Sequence, residues 1–219
     1  HVETAHHLAA LQKAGKIKNI GVTNYDVAHL RELVESDVPV VSNQIQWSLV
    51  DRRVYNGMYA YCRNLGIKML AYGVLAGGFL SDYYIMRYGW KEPLTNRSLQ
   101  KYKLIIEETG DWQHFHFLLF ALLPYAQEFL YGQGIHVDIA AIASAIILQE
   151  GADAIILGGG KHRIKDMEVA AELKFGGEGT HLWEKFLSNA HGPRGDIYEL
   201  ERQKGGKHAA IMKYNLNNV

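Results

Sequence analysis

Small polar and aromatic side chains end three short apolar segments of the sequence. Thr23 and Asn24 end the first segment, Gln44 lies near the end of the second, and Tyr72 ends the third. Amide and hydroxyl groups can hydrogen-bond a carboxamide edge-on, and an aromatic ring can stack on a flat heterocycle. This combination fits the binding of a nucleotide cofactor better than the binding of a metal ion.

A fourth apolar segment, residues 154–157, runs into three glycines followed by basic residues. Gly158 begins the triplet, and Lys161, His162 and Arg163 come after it. Glycines let the backbone approach a ligand closely, and cations pair with phosphate. The pattern therefore indicates a phosphate-binding loop, although three consecutive glycines also fit a tight turn.

The other polar positions have purely structural interpretations as well. Thr23 or Asn24 fits the N-terminal cap of a following helix, as does Asp26. Tyr72 fits an ordinary core position. Because the ends of all these apolar segments carry such residues, a shared site explains them better than coincidence.

The elements that must position these residues alternate between strands and helices. Apolar runs predict strands at 17–22, 40–45, 67–72 and 154–157, and helical spacing of apolar residues follows the first two runs. Consecutive strand–helix units predict a parallel sheet or barrel, in which the carboxyl ends of the strands converge on one face.

A long excursion separates the third strand from the fourth. Residues 81–115 are rich in tyrosine and charge, with one helix expected near 98–107, and connections of this length are commonly lids or binding loops. Further helices are predicted at 115–131, with an interruption at Pro124, and at 139–148 and 165–173. We assign residues 1–175 to a barrel-like domain and 176–219 to a C-terminal tail.

Composition restricts the kinds of partner and compartment. Lys and Arg number 23, as do Asp and Glu, so no net charge favours nucleic acid or a membrane surface. Cys62 is the sole cysteine, which excludes an internal disulfide and fits a reducing compartment. With no signal-peptide pattern and no run long enough to span a membrane, a cytoplasmic protein is expected.

A metal site is not expected despite the eleven histidines. Zinc sites need three or four converging ligands, and the sequence holds no HExxH and no CxxC pattern.

Four stretches of the chain resemble a known family when they are taken in order. They are GKIKNIGVTNYD, VVSNQIQWSLVDRR, KMLAYGVLAGGFL and ADAIILGGGKHRIKDMEV. Together they resemble the second half of the (β/α)8 barrel of the aldo-keto reductases, and the likeness covers most of residues 8–175. The resemblance implies an α/β fold with a partial TIM-type barrel of about four βα units.

The resemblance also implies a cofactor site. Thr23 and Asn24 match the family's serine/asparagine pair that binds the nicotinamide carboxamide, with Gln44 beside them, and Tyr72 matches the aromatic that stacks on the nicotinamide. The stretch from Gly73 to Gly77, which includes Leu75, is implied to line the pyrophosphate, and Gly158 is a further expected cofactor-binding residue. Lys161 and Arg163 are implied to bind the 2′-phosphate of NADPH.

The catalytic residues of the family have no match in this chain. The family's Asp, Tyr and Lys come from the first three strands and its His from the fourth, all ahead of the strand at 17–22. His1, His6 and His7 lie too close to that strand to match the catalytic His. We therefore expect a fragment or truncated homologue of an oxidoreductase, in which NADPH-dependent reduction of a carbonyl substrate requires the upstream half.

Two other functions fit the same residues. A truncated barrel could use the pocket for non-redox chemistry, as a cyclase, isomerase or dehydratase, with a proton donor from the excursion. Alternatively, the chain could be a non-catalytic NADPH-binding or interaction module. Because a half barrel leaves two strand edges unpaired, self-association through those edges is a further expectation.

Overall fold

Four parallel strands form the central sheet in the computed structural model, which describes residues 1–87, 89, 94, 96–134, 136–158 and 162–173. The strands are β1 (Ile20–Thr23), β2 (Val40–Gln46), β3 (Lys68–Tyr72) and β4 (Ala154–Ile156). Each pairs with the next in chain order. This order is that of a (β/α)8 barrel and not of a doubly wound sheet. The predicted α/β class with a parallel sheet is confirmed.

Helices precede and connect the strands, and several of them pack on one face of the sheet. They are α1 (Val2–Lys13), α2 (Val27–Glu35), α3 (Met58–Leu65), α4 (Arg97–Thr109), α5 (Trp112–Gln133), α6 (Ile139–Gln149) and α7 (His162–Glu172). Asp26 caps α2 by accepting a hydrogen bond from the His29 N–H at 2.8 Å. The capping interpretation of Thr23 and Asn24 is therefore wrong, and both side chains remain exposed.

The two faces of the sheet differ in burial because side chains alternate along a strand. Ile45, Met69 and Ala71 point toward the helices and are fully buried. On the opposite face, Gln44 and Tyr72 are only partly buried. The helix-covered face is therefore the core, and the other face carries the polar strand ends.

Helix α5 runs through Pro124, where an interruption was expected. A proline inside a helix removes one backbone hydrogen bond and costs about 3 kcal/mol. Burial of apolar side chains ahead of the proline offsets this cost, since Leu118, Leu119 and Leu122 are all fully buried. Core packing therefore outweighs the local signal of the proline.

The excursion at 81–115 contains α4, which extends slightly beyond the expected helix at 98–107. Its Tyr102, Ile105 and Ile106 are buried, so this segment is part of the core as well as a connection. The tail at 176–219 lies outside the described residues. Among the helices that the structure describes, none has the length and apolar character needed to cross a membrane.

The substitution Ser144→Ala is expected to stabilise the protein. The Ser144 Oγ is fully buried in α6 and has no hydrogen-bond partner among the described residues. Removing an unsatisfied buried hydroxyl should raise the free energy of unfolding by about 1 kcal/mol, measured by urea denaturation. Ala143→Ser, the reverse change at the neighbouring buried position, should lower it. A stability loss in Ser144→Ala would contradict the assignment.

Candidate functional site

The carboxyl ends of β1 and β2 are joined through one carbonyl. The Gln44 carbonyl accepts hydrogen bonds from the Asn24 N–H at 3.0 Å and from the Thr23 Oγ1 at 3.4 Å. Asn24 has a left-handed φ of 61°, a conformation that asparagine tolerates better than most residues. This local conformation turns the chain away from the sheet and leaves the Asn24 side chain at the strand end.

Tyr72, the last residue of β3, contacts Asn24 at the end of β1. Its hydroxyl donates a 2.7 Å hydrogen bond to the Asn24 Oδ1, which spans the end of β2. The ring is partly buried and packs against the core, while its hydroxyl reaches the end of the sheet. An amide and an aromatic ring are thus held together at the end of the sheet.

The side chain of Asn43, directly before Gln44, points to the opposite face of β2. It is fully buried, and its Nδ2 donates to the Tyr25 carbonyl at 3.0 Å. This bond holds the loop that follows Asn24 from the helix-covered side.

A buried ion pair fixes the loop after β2. The Arg53 guanidinium contacts the Asp51 carboxylate at 2.7 Å, and both side chains are essentially inaccessible to water. The Gln46 Nε2 donates to the same carboxylate at 2.6 Å. The last residue of β2 is thereby attached to the following loop, two residues beyond the Gln44 side chain.

A glycine-containing turn follows β3 and borders a cavity of about 490 Å³. Gly73 and Gly77 have φ values of 69°, a region where side chains are strained. The predicted residues that line the cavity are Tyr72, Gly73, Leu75, Gly77 and Gly158. The structure therefore brings the ends of β3 and β4 together around one space.

Five of the predicted site residues are not among those that line the cavity. Three of them, Thr23, Asn24 and Gln44, lie at or near the ends of β1 and β2. The other two cannot be placed. Lys161 lies outside the described residues. Arg163 lies in the first turn of α7, just beyond the end of β4, and its side chain is not described. Both interpretations stay predictions.

Helix α4 forms a wall of the cavity that the sequence did not reveal. Asn96, Ser98 and Tyr102 line it. A Cβ on Gly73 would collide with the Tyr102 hydroxyl, and a Cβ on Gly77 would lie 2.8 Å from the Tyr102 ring. The signal available in the sequence was the apolar spacing of Tyr102, Ile105 and Ile106, which predicts a buried helix face but not its partner.

Asp153 holds β4 in place beside β3. Its carboxylate accepts hydrogen bonds from the Met69 N–H at 2.9 Å and from the Lys68 Nζ at 3.0 Å. Burial by itself raises the pKa of Asp153, but these hydrogen bonds and the attraction of Lys68 and Arg63 outweigh it and hold the pKa below its ordinary value. The position of Gly158, which follows β4, depends on this anchor.

The chemistry of the assembled residues is that of ligand binding. They offer an amide, a hydroxyl, a ring and a turn that contains three glycines, and none of the described residues lining the cavity carries a charge. Among the described residues, no group of three or more His, Cys, Asp and Glu side chains could hold a metal ion. A flat, partly polar ligand that extends along the turn suits this arrangement.

Gly73→Ala should destabilise the protein more than Gly66→Ala. Both glycines have nearly the same φ, 69° and 68°, but a Cβ meets Tyr102 at Gly73 and nothing within 4 Å at Gly66. Backbone strain alone costs about 1–2 kcal/mol, and the collision should add about 1–3 kcal/mol at Gly73. Urea denaturation measures both. Equal losses would show that Tyr102 does not pack against the turn.

Asp153→Asn should lower the free energy of unfolding by about 1–2 kcal/mol at pH 7, through loss of charge-assisted hydrogen bonds. Because the folded pKa is depressed, the contribution is complete above the unfolded pKa of about 3.9 and disappears as the pH falls below it. The difference from wild type should therefore shrink in denaturation experiments as the pH is lowered through this range. Asp37→Asn, at an exposed position, is the control, and a difference independent of pH would contradict the assignment.

Several curated proteins are similar to part of this chain. An uncharacterized oxidoreductase of Schizosaccharomyces pombe is 34% identical over 87 residues, which are 39% of this chain and 31% of that protein. The NADH-specific methylglyoxal reductase of Escherichia coli is 34% identical over 87 residues, 37% of this chain and 26% of that protein. The glyoxal reductase of Bacillus subtilis is 33% identical over 85 residues, 38% of this chain and 30% of that protein.

Solved structures show the same fold. A glycerol dehydrogenase of Gluconobacter oxydans superposes with a TM-score of 0.63 at 19% identity, over 86% of this chain and 53% of that one. A thermostable aldo-keto reductase superposes with a TM-score of 0.56 at 21% identity, over 85% of this chain and 53% of that one. The partial (β/α)8 barrel is therefore confirmed.

The chain spans about half the length of these solved structures, at 53%, and the matched regions cover 31% or less of the curated relatives. A model of the aldo/keto reductase family matches residues 1–173, which include all the strands and helices described above. The chain belongs to the aldo/keto reductase family.

Proposed function

We propose that this chain forms the cofactor-binding part of an NADPH-dependent reductase of carbonyl compounds. Membership of the aldo/keto reductase family supports an oxidoreductase. Relatives that are named methylglyoxal reductase and glyoxal reductase support a small carbonyl compound as the substrate class.

The hydrogen bond between Tyr72 and Asn24 is the observation that carries the proposal. It fixes the hydroxyl of Tyr72 2.7 Å from the amide oxygen of Asn24 and so orients the ring at the ends of the strands. A nicotinamide ring stacked on Tyr72 would then present its carboxamide to the amide of Asn24, with Thr23 and Gln44 on the adjoining strands.

The lining of the cavity suits the remainder of a dinucleotide. It includes Tyr72, residues of the turn from Gly73 to Gly78, and Gly158. In this arrangement the pyrophosphate lies along the turn, where the glycines allow close approach to the backbone. Lys161 and Arg163, which follow Gly158 in the sequence, would bind the adenosine 2′-phosphate and so favour NADPH over NADH.

The proton donor for carbonyl reduction must come from outside the described site. The residues lining the cavity include no acid or imidazole. A bound nicotinamide supplies the hydride, and the catalytic acid belongs to strands that the family places before β1. Full activity is therefore proposed for a polypeptide that combines this half with the preceding one.

Asn24→Ala should weaken NADPH binding about fivefold to tenfold, since it removes one hydrogen-bonding amide beside the ring. Isothermal titration calorimetry on the 219-residue chain measures this effect. Asn19→Ala, at an exposed asparagine just before the other end of β1, should leave the affinity unchanged. An unaltered affinity in Asn24→Ala would contradict the assignment of this amide.

The proposed carbonyl reduction is tested on a longer chain that includes the barrel strands which the family places before β1. NADPH oxidation in the presence of methylglyoxal, glyoxal and simple aldehydes is the expected result. Absence of NADPH binding together with absence of turnover would contradict the proposed function. Product formation without NADPH would point instead to non-redox chemistry.

A further inference from the structure

Lys101 projects from α4 between two aromatic rings of the cavity. Its ammonium lies 5.4 Å from the centroid of the Tyr72 ring and 5.3 Å from the centroid of the Tyr102 ring. Both rings line the cavity, and Lys101 itself is partly exposed. A cationic group therefore stands at the rim of a space whose described lining residues are uncharged.

The position of Lys101 is set by the contact that fixes α4. Tyr102, the next residue, is buried against the turn at Gly73 and Gly77. The buried Ile105 and Ile106 hold the following turn of the helix in the core. Because a helix with one face fixed cannot rotate, the stem of Lys101 begins at a defined place beside the turn.

A cation at this rim suits a ligand that carries phosphate, because the described residues lining the cavity are uncharged. Charge-assisted hydrogen bonds from ammonium to phosphate are stronger than contacts between an ammonium and a partly exposed ring. An anionic group along the turn would therefore draw the ammonium from the rings.

We propose that Lys101 binds the pyrophosphate of the dinucleotide and provides a positive charge at the nicotinamide end of the site. The proposal rests on the proposed function, because it takes the ligand to be a dinucleotide stacked on Tyr72. It differs from the assignment of Lys161 and Arg163, which concerns the 2′-phosphate at the opposite end. Lys101 is a binding residue and takes no part in proton or hydride transfer.

Lys101→Met is the informative variant, since methionine keeps most of the apolar stem that covers the rings and loses the charge. Lys103→Met is the matched control on the same helix, where Lys103 forms an i,i+4 pair with Glu107 at 3.7 Å. Lys101→Arg retains the charge. Calorimetric titrations with NADPH and with inorganic pyrophosphate, each at low and high salt, compare these three variants with the wild-type chain.

Lys101→Met should bind NADPH about 10-fold to 100-fold more weakly than wild type, the loss expected for a charged hydrogen bond. Pyrophosphate binding should fall in parallel, and the dependence of affinity on salt should be reduced. Lys101→Arg should retain affinity within about threefold, and Lys103→Met should match wild type. The melting temperature without ligand should be the same in all four proteins, which a purely structural role of Lys101 would not give.

Wild-type affinity for NADPH in Lys101→Met would overturn the inference and leave the proposed function standing. Binding of pyrophosphate that depends on Lys101, without binding of NADPH, would support Lys101 as a phosphate ligand and contradict the dinucleotide. Failure of the wild-type chain to bind either compound would overturn both.

Discussion

The packing of Tyr102 against the turn after β3 joins the two parts of this molecule. On one side is the sheet, whose order follows from strand–helix units that are local in sequence. On the other is α4, which belongs to the long excursion. The absence of side chains at Gly73 and Gly77 lets the ring approach the backbone, so these glycines serve packing as well as conformation. Together with the buried Ile105 and Ile106, that contact places α4 beside the strand ends.

Much of the site could be predicted from the sequence because it is encoded locally. Asn24, Gln44 and Tyr72 each end or nearly end an apolar run, and parallel strands bring such positions to one edge. The order of the motifs then indicated the family. These signals need no knowledge of distant contacts.

The remainder depended on contacts between distant residues. Pro124 signalled an interruption of a helix, but buried leucines maintain the helix through it. Tyr102 and Lys101 showed no pattern of a binding residue, because their positions follow from contacts with the turn after β3 and with the Tyr72 ring, which are distant in the chain. The cap of α2 was ambiguous because three neighbouring residues were chemically suited to it, and only Asp26 takes that role.

The adjacent residues Asn43 and Gln44 lie on opposite faces of β2 and make different contacts there. Asn43 points to the helices and holds the Tyr25 carbonyl, while Gln44 lies on the face with the strand ends and receives two hydrogen bonds at its carbonyl. A side-chain period of two makes this division sensitive to length. Insertion or deletion of one residue in β2 would exchange the two faces along part of the strand. A substitution in β2 therefore changes one contact, whereas a change in its number of residues would disturb the contacts on both faces.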